Sequence, residues 1–138
     1  MDERPKGDLT LRTVAMPANT NPAGDIFGGW VMSQMDLGAF VAASEHAGMR
    51  TVTVAVNSIT FEKPVKIGDT LCVYTQFKKI GRTSMTVNVE AWVHRHDRPR
   101  REKVTAAEFV MVAMDDSGRP APVPKTKQPS ISEADSEA

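Results

Sequence analysis

Residues 27–46 read Phe-Gly-Gly-Trp-Val-Met-Ser-Gln-Met-Asp-Leu-Gly-Ala-Phe-Val-Ala-Ala-Ser-Glu-His, and this stretch decides the fold. It is the one segment whose length and composition suit a long helix. Its apolar residues Trp30, Val31, Met32, Met35, Leu37, Phe40 and Val41 fall on nearly every side. A helix that is apolar all round is expected to be buried. Gly48 supplies a stop, because glycine accepts the left-handed conformation that ends many helices. A membrane span is the competing reading, but the apolar stretch 26–43 contains Gln34, Asp36 and three glycines. A span needs about 20 mainly apolar residues, and a charge near its centre is costly. The segment therefore reads as a buried helix of a soluble protein.

Outward from this helix the period changes. Leu9, Leu11 and residues 14–16 outline a short first strand ending at Met16-Pro17, and residues 19–24 are a loop by their Asn, Pro and Gly content. After the helix, Val52, Val54 and Val56 share one face, while Ile59 and Phe61 have the opposite parity, which predicts a bulge near Asn57-Ser58. Residues 71–78 form a strand. Met85, Val87, Val89, Ala91 and Val93 alternate with polar residues and Trp92 in another. Residues 104–114 form a long last strand after a tip at residues 97–100. The order is strand, helix, then four strands joined by short turns, which predicts antiparallel neighbours. An α+β architecture follows, with one long helix wrapped by an antiparallel sheet, because nothing else can cover that helix. The sheet's other face is also partly apolar, which suggests a second subunit.

The chain has 138 residues, one domain's worth, with 17 Lys+Arg against 17 Asp+Glu. A zero net charge argues against a nucleic-acid partner, whose phosphates demand a basic excess, and against a polybasic membrane contact. It leaves self-association unopposed. One cysteine makes no internal disulfide, and no zinc-type Cys/His spacing occurs, so a reducing, cytoplasmic setting is expected. No signal-peptide core is visible. Residues 1–7 read as an N-terminal tail, 8–116 as the folded domain, and the Pro-, Ser- and charge-rich residues 117–138 as a flexible C-terminal tail.

Among residues able to do chemistry, Asp36 stands out. It lies mid-helix, about two turns above Gly29, with Ser33 and Phe40 on the same side. Spacing leaves two readings open: a functional buried acid, or the helix's one wet stripe. Gly28 and Gly29 at the helix start would let a substrate approach free backbone N–H groups; equally, Asp25 is a simple N-cap and the glycines serve close packing. His94 and His96 share a strand face, but no third ligand is near, so no metal site is expected. His46 reads as a helix C-terminal residue and Cys72 as a small buried one. Arg and Lys cluster at residues 78–82 and 95–103, either as solvated hairpins or as a local phosphate site.

The residues 19–36, Asn-Thr-Asn-Pro-Ala-Gly-Asp-Ile-Phe-Gly-Gly-Trp-Val-Met-Ser-Gln-Met-Asp, closely resemble the signature of bacterial YciA-type acyl-CoA thioesterases. The resemblance continues through residues 53–56, 61–64, 68–69, 81–84, 90–93 and 113–115, and covers residues 9–124. It implies the hotdog fold and hydrolysis of acyl-CoA to CoA and a carboxylic acid over a broad acyl range. It also implies a homo-oligomer, with the dimer as the active unit and three dimers in a hexamer. No cofactor is implied, since CoA belongs to substrate and product. By the resemblance, Asp36 is base or nucleophile, and Asp25 acts across the interface with the partner's helix aspartate. Gly28 and Gly29 polarise the thioester carbonyl, and Asn21 is the loop asparagine of the site. Gly81, Arg82, Thr83 and Ser84 touch the nucleotide or pantetheine. The hairpin 95–103 departs from the family pattern. A non-hydrolytic acyl-CoA-binding module and a hotdog dehydratase are the alternatives; the second usually needs a histidine, and none lies in residues 19–36.

Overall fold

The computed structural model describes residues 3–125. Strand β1 spans Asp8–Val14 and helix α1 Gly28–Ala47, and four strands follow: β2 Thr51–Phe61, β3 Thr70–Ile80, β4 Ser84–His94 and β5 Arg101–Ala113. All five strands join one sheet in the order β1-β3-β4-β5-β2, with every pairing antiparallel. The helix lies on one face of this sheet, which is the hotdog arrangement. Gly48 closes α1 with φ 70°, its N–H bonded to the Ser44 carbonyl at 2.9 Å. No helix among the described residues is long and apolar enough to cross a membrane.

The alternation in β4 explains the core. Met85, Val87, Val89, Ala91 and Val93 all point at the helix and are buried against Val31, Met35, Ala39 and Ala43. Each fully buried Val, Met or Phe contributes about 1.5–3 kcal/mol. Gly38 marks the tightest approach: a Cβ there would stand 2.7 Å from Cγ1 of Val73. The opposite sheet face holds a second cluster of Cys72, Tyr74 and Trp92. There Glu90 accepts the Trp92 indole N–H at 2.9 Å and the Lys6 backbone N–H at 3.2 Å.

Several expectations change. The helix is not covered on every side: Leu37, Phe40 and Val41 are each more than 40% exposed. A single sheet covers only one side of a helix, and the described residues form one sheet. Nor are β2 and β3 neighbours. The connection at residues 62–69 crosses the sheet's end, burying Val65 beside the helix start, and delivers β3 next to β1. The bulge falls at residues 57–60, where Ser58 takes φ 58°, and the register shifts again between Thr53 and Ala55. The described ends lie on the body. Ala121 and Val123 are buried, the Val123 N–H bonds the Arg82 carbonyl at 2.9 Å, and His46 Nε2 meets the Pro124 carbonyl at 2.7 Å. At the other end Glu3 pairs with Lys103. Residues 126–138 lie outside the described residues.

Candidate active site

The loop before α1 is folded by its own side chains. The Asn21 side-chain oxygen accepts the N–H groups of Ala23 at 3.0 Å and Asp25 at 3.1 Å, and the Asn21 N–H bonds the Asp25 carbonyl at 2.7 Å. Phe27 then returns its N–H to the Asn19 carbonyl at 3.0 Å. These bonds set the direction in which the chain enters the helix.

Asp25 does not cap that helix. Its carboxylate turns to the Lys66 ammonium, and the cap position is Phe27, with no side-chain cap bond. The simple N-cap reading is thereby removed. The first N–H groups of an α-helix have no acceptor within it, so those of Gly28 and Gly29 are available donors. Trp30 and Val31 both bond back to the Phe27 carbonyl, at 3.1 and 3.4 Å. The two glycines differ. A Cβ on Gly28 would meet the Phe61 ring at 3.3 Å, whereas one on Gly29 would meet nothing within 4 Å. The approach to the helix start is therefore open at Gly29 and walled at Gly28.

Asp36 is half-buried on the side of α1 that faces β2. The Thr53 hydroxyl donates to its Oδ1 at 2.5 Å, and Met111 Sδ lies 3.3 Å from the same hydroxyl oxygen. One carboxylate oxygen is thus held while the other remains available. Sequence reading missed Thr53. Its signal was the polar pair Thr51 and Thr53, set on the parity opposite Val52 and Val54; both reach the helix, Thr51 meeting Ser44 at 2.7 Å.

One chain does not assemble all of the expected residues. Asp36 lies seven residues beyond Gly29, about 10 Å along the axis at about 1.5 Å per residue. The Gly81–Ser84 turn lies farther off, at the end of the sheet where α1 finishes. It is closed by a 2.8 Å bond from the Gly81 N–H to the Ser84 carbonyl, and the Thr83 carbonyl accepts the Ala113 N–H at 3.0 Å. Among the described residues, open surface depressions of about 570, 480 and 650 Å3 are lined without Asp36. The carboxylate lies beside β2, the edge strand of the sheet, through its bond with Thr53. No group of three or more His, Cys, Asp or Glu among the described residues is placed to hold a metal.

Residues 23–98, which hold the helix start, Asp36 and Thr53, match the model of the thioesterase superfamily. The chain belongs to the thioesterase superfamily. Among similar superfamily members is the acyl-CoA thioester hydrolase YciA of Salmonella typhimurium, 50% identical over 90% of this chain and 96% of that protein. A crystal structure of a hexameric broad specificity acyl-coenzyme A thioesterase, in an aspartate-to-alanine form, superposes with a TM-score of 0.85 at 45% identity, covering 96% of this chain and 97% of the other. An acyl-CoA hydrolase of Staphylococcus aureus, solved with butyryl coenzyme A and coenzyme A, gives a TM-score of 0.79 at 30% identity over 90% of this chain and 76% of the other.

Proposed function

We propose that this superfamily member is an acyl-CoA thioester hydrolase that releases free CoA and a carboxylic acid from a broad range of acyl groups. The observation that carries the reading is Asp36, held at one oxygen by Thr53, in a chain whose helix α1 begins with two glycine N–H groups that no side chain caps, so that a pair of chains can bring the two features together. The names of the close relatives support it.

The chemistry needs few groups. The thioester carbonyl accepts hydrogen bonds at Gly28 and Gly29, where donors aimed at a developing oxyanion lower the barrier by about 2.7–4 kcal/mol each. Asp36 takes a proton from water as the hydroxyl adds to the carbonyl carbon, or its free oxygen attacks that carbon to form a mixed anhydride. In either route the C–S bond breaks and the CoA thiolate leaves and is protonated. Water then cleaves the anhydride in the second route. Only a carboxylate, backbone N–H groups and water take part, so the proposal contains no cofactor or metal.

The active unit in this proposal is a dimer. Asn21, Asp25, Gly28 and Gly29 of one chain face Asp36 and Thr53 of the other, and three such dimers form a hexamer. Supporting it are the hexameric relative, the distance between Asp36 and its own helix start, and the exposed edge at β2. Gly81, Arg82, Thr83 and Ser84 bind the outer part of CoA, in a cytoplasmic enzyme. The folded domain is residues 8–116, onto which residues 120–124 pack. The test is free-thiol release from a panel of acyl-CoAs, acetyl to palmitoyl. The parent chain releases thiol, and Asp36→Asn is slower by at least about 100-fold, the scale of general-base catalysis. Equal rates would remove Asp36 from the site.

A further inference from the structure

From the hydrogen-bond network at the β4–β5 hairpin, we infer that Arg95 is a positioning residue for the reaction centre, acting through the 62–69 loop on Asp25 and on the helix-start donors. The inference rests on the proposed hydrolase reading. Arg95 is only 15% exposed in its side chain, although it stands beside a solvent-facing hairpin. Its guanidinium makes three bonds in three directions. Nε donates to Asp69 Oδ2 at 3.2 Å, Nη1 to Glu102 Oε2 at 2.5 Å, and Nη2 to the Pro64 carbonyl at 2.8 Å. Two of these acceptors belong to the 62–69 loop. Glu102 is the anchor on the hairpin side. Burial pushes its carboxyl up, but the hydrogen bonds and charges of Arg95 and Arg98 outweigh this and hold it below its usual value, so it stays ionised.

The loop that Arg95 grips is the one that shapes the helix start. Asp69 Oδ2 also accepts the Lys66 N–H at 2.8 Å, and the Lys66 ammonium pairs with Asp25. The Val65 carbonyl accepts the Ile26 N–H at 2.9 Å, two residues before Gly28. Gly68 and Asp69 exchange backbone bonds of 2.8 and 3.0 Å with Ala15, on the other side of the site loop. Phe61, which opens the connection, is the ring against Gly28. A shift of the 62–69 loop therefore moves Asp25, Ile26 and the wall at Gly28 together. Only a planar fork with several donors reaches all three acceptors; an ammonium is a single point.

The test is steady-state hydrolysis of one acyl-CoA by the parent and by Arg95→Ala, Arg95→Lys and Arg98→Ala, well below their unfolding temperatures. Arg95→Ala is expected to lose about 10- to 100-fold in kcat with KM within a few-fold, since a misplacement of about 1 Å costs on that scale. Added guanidinium or methylguanidinium restores part of that kcat. Arg95→Lys falls between parent and Arg95→Ala, and Arg98→Ala, which touches only the outer oxygen of Glu102 at 3.0 Å, stays near parent. In a Lys66→Ala background the Arg95→Ala effect shrinks. Parent-like kcat in Arg95→Ala would overturn the inference, as would a loss that follows unfolding alone without rescue. A parent that releases no thiol would instead overturn the hydrolase reading.

Discussion

A carboxylate that must act on water or on a thioester works best with one oxygen held and the other left to react. Thr53 gives Asp36 that asymmetry through the 2.5 Å bond to Oδ1. Replacing the hydroxyl by a methyl in Thr53→Val is expected to lower kcat by about 10- to 100-fold, because a hydrogen bond to a charged group is worth about 1.5–3 kcal/mol. Thr53→Ser keeps most of the activity and its thermal unfolding stays near parent, whereas Thr53→Val, having lost the bond, unfolds a few degrees lower. Stopped thiol-release assays on the two variants check this. Asp36 was legible in the sequence because an acid inside an apolar helix asks for a reason. Thr53 was not, because a threonine on a strand is ordinary until the helix is laid across it. Asp25 shows the converse: as a residue before a helix it reads as a cap, and only the nearby Lys66 shows that its charge goes elsewhere.

At the scale of elements, two glycines of α1 do different work, and the same substitution separates them. Gly38 lies against Val73, where an added methyl would sit 2.7 Å from Cγ1. Gly38→Ala is expected to cost about 1–3 kcal/mol through overpacking and to lower the unfolding midpoint by several degrees. Gly29 meets nothing within 4 Å, so Gly29→Ala leaves stability equal or higher, as alanine favours helix by about 0.5–1 kcal/mol. Yet kcat/KM falls, because the methyl occupies the open approach to the backbone donors. Scanning calorimetry and steady-state kinetics on the two variants give opposite patterns if this is right. The helix and strands themselves were readable from period and from Gly48. The strand order was not: an eight-residue connection such as 62–69 is long enough to cross the sheet's end, and periodicity carries no information about which edge it reaches.

At the scale of the whole molecule, the chain leaves apolar surface open beside the proposed reaction centre. Val54 is 56% exposed on β2, an edge strand with unpaired backbone groups, and Phe27 and Phe61 are exposed near the helix start. Such an edge is a template for pairing unless charge blocks it. Val54→Lys is therefore expected to fold, to dissociate the assembly to smaller species by light scattering, and to lose hydrolysis in the same step. The sequence hinted at this surface through its balanced charge and surplus apolar residues, but one sheet and one helix had to be placed before the open side could be named.

In the proposed dimer each reaction centre combines Asp36 of one chain with the helix start of another. Mixing two inactive variants tests it most directly. Asp36→Asn and Asp25→Ala are purified, shown to be inactive alone, dissociated, mixed in equal amounts and reassembled. Random pairing makes half the dimers hybrid, and one of the two sites in each hybrid is intact, so activity returns to about a quarter of the parent value. A mixture that stays as inactive as its components, with hybrid formation verified, would contradict the account.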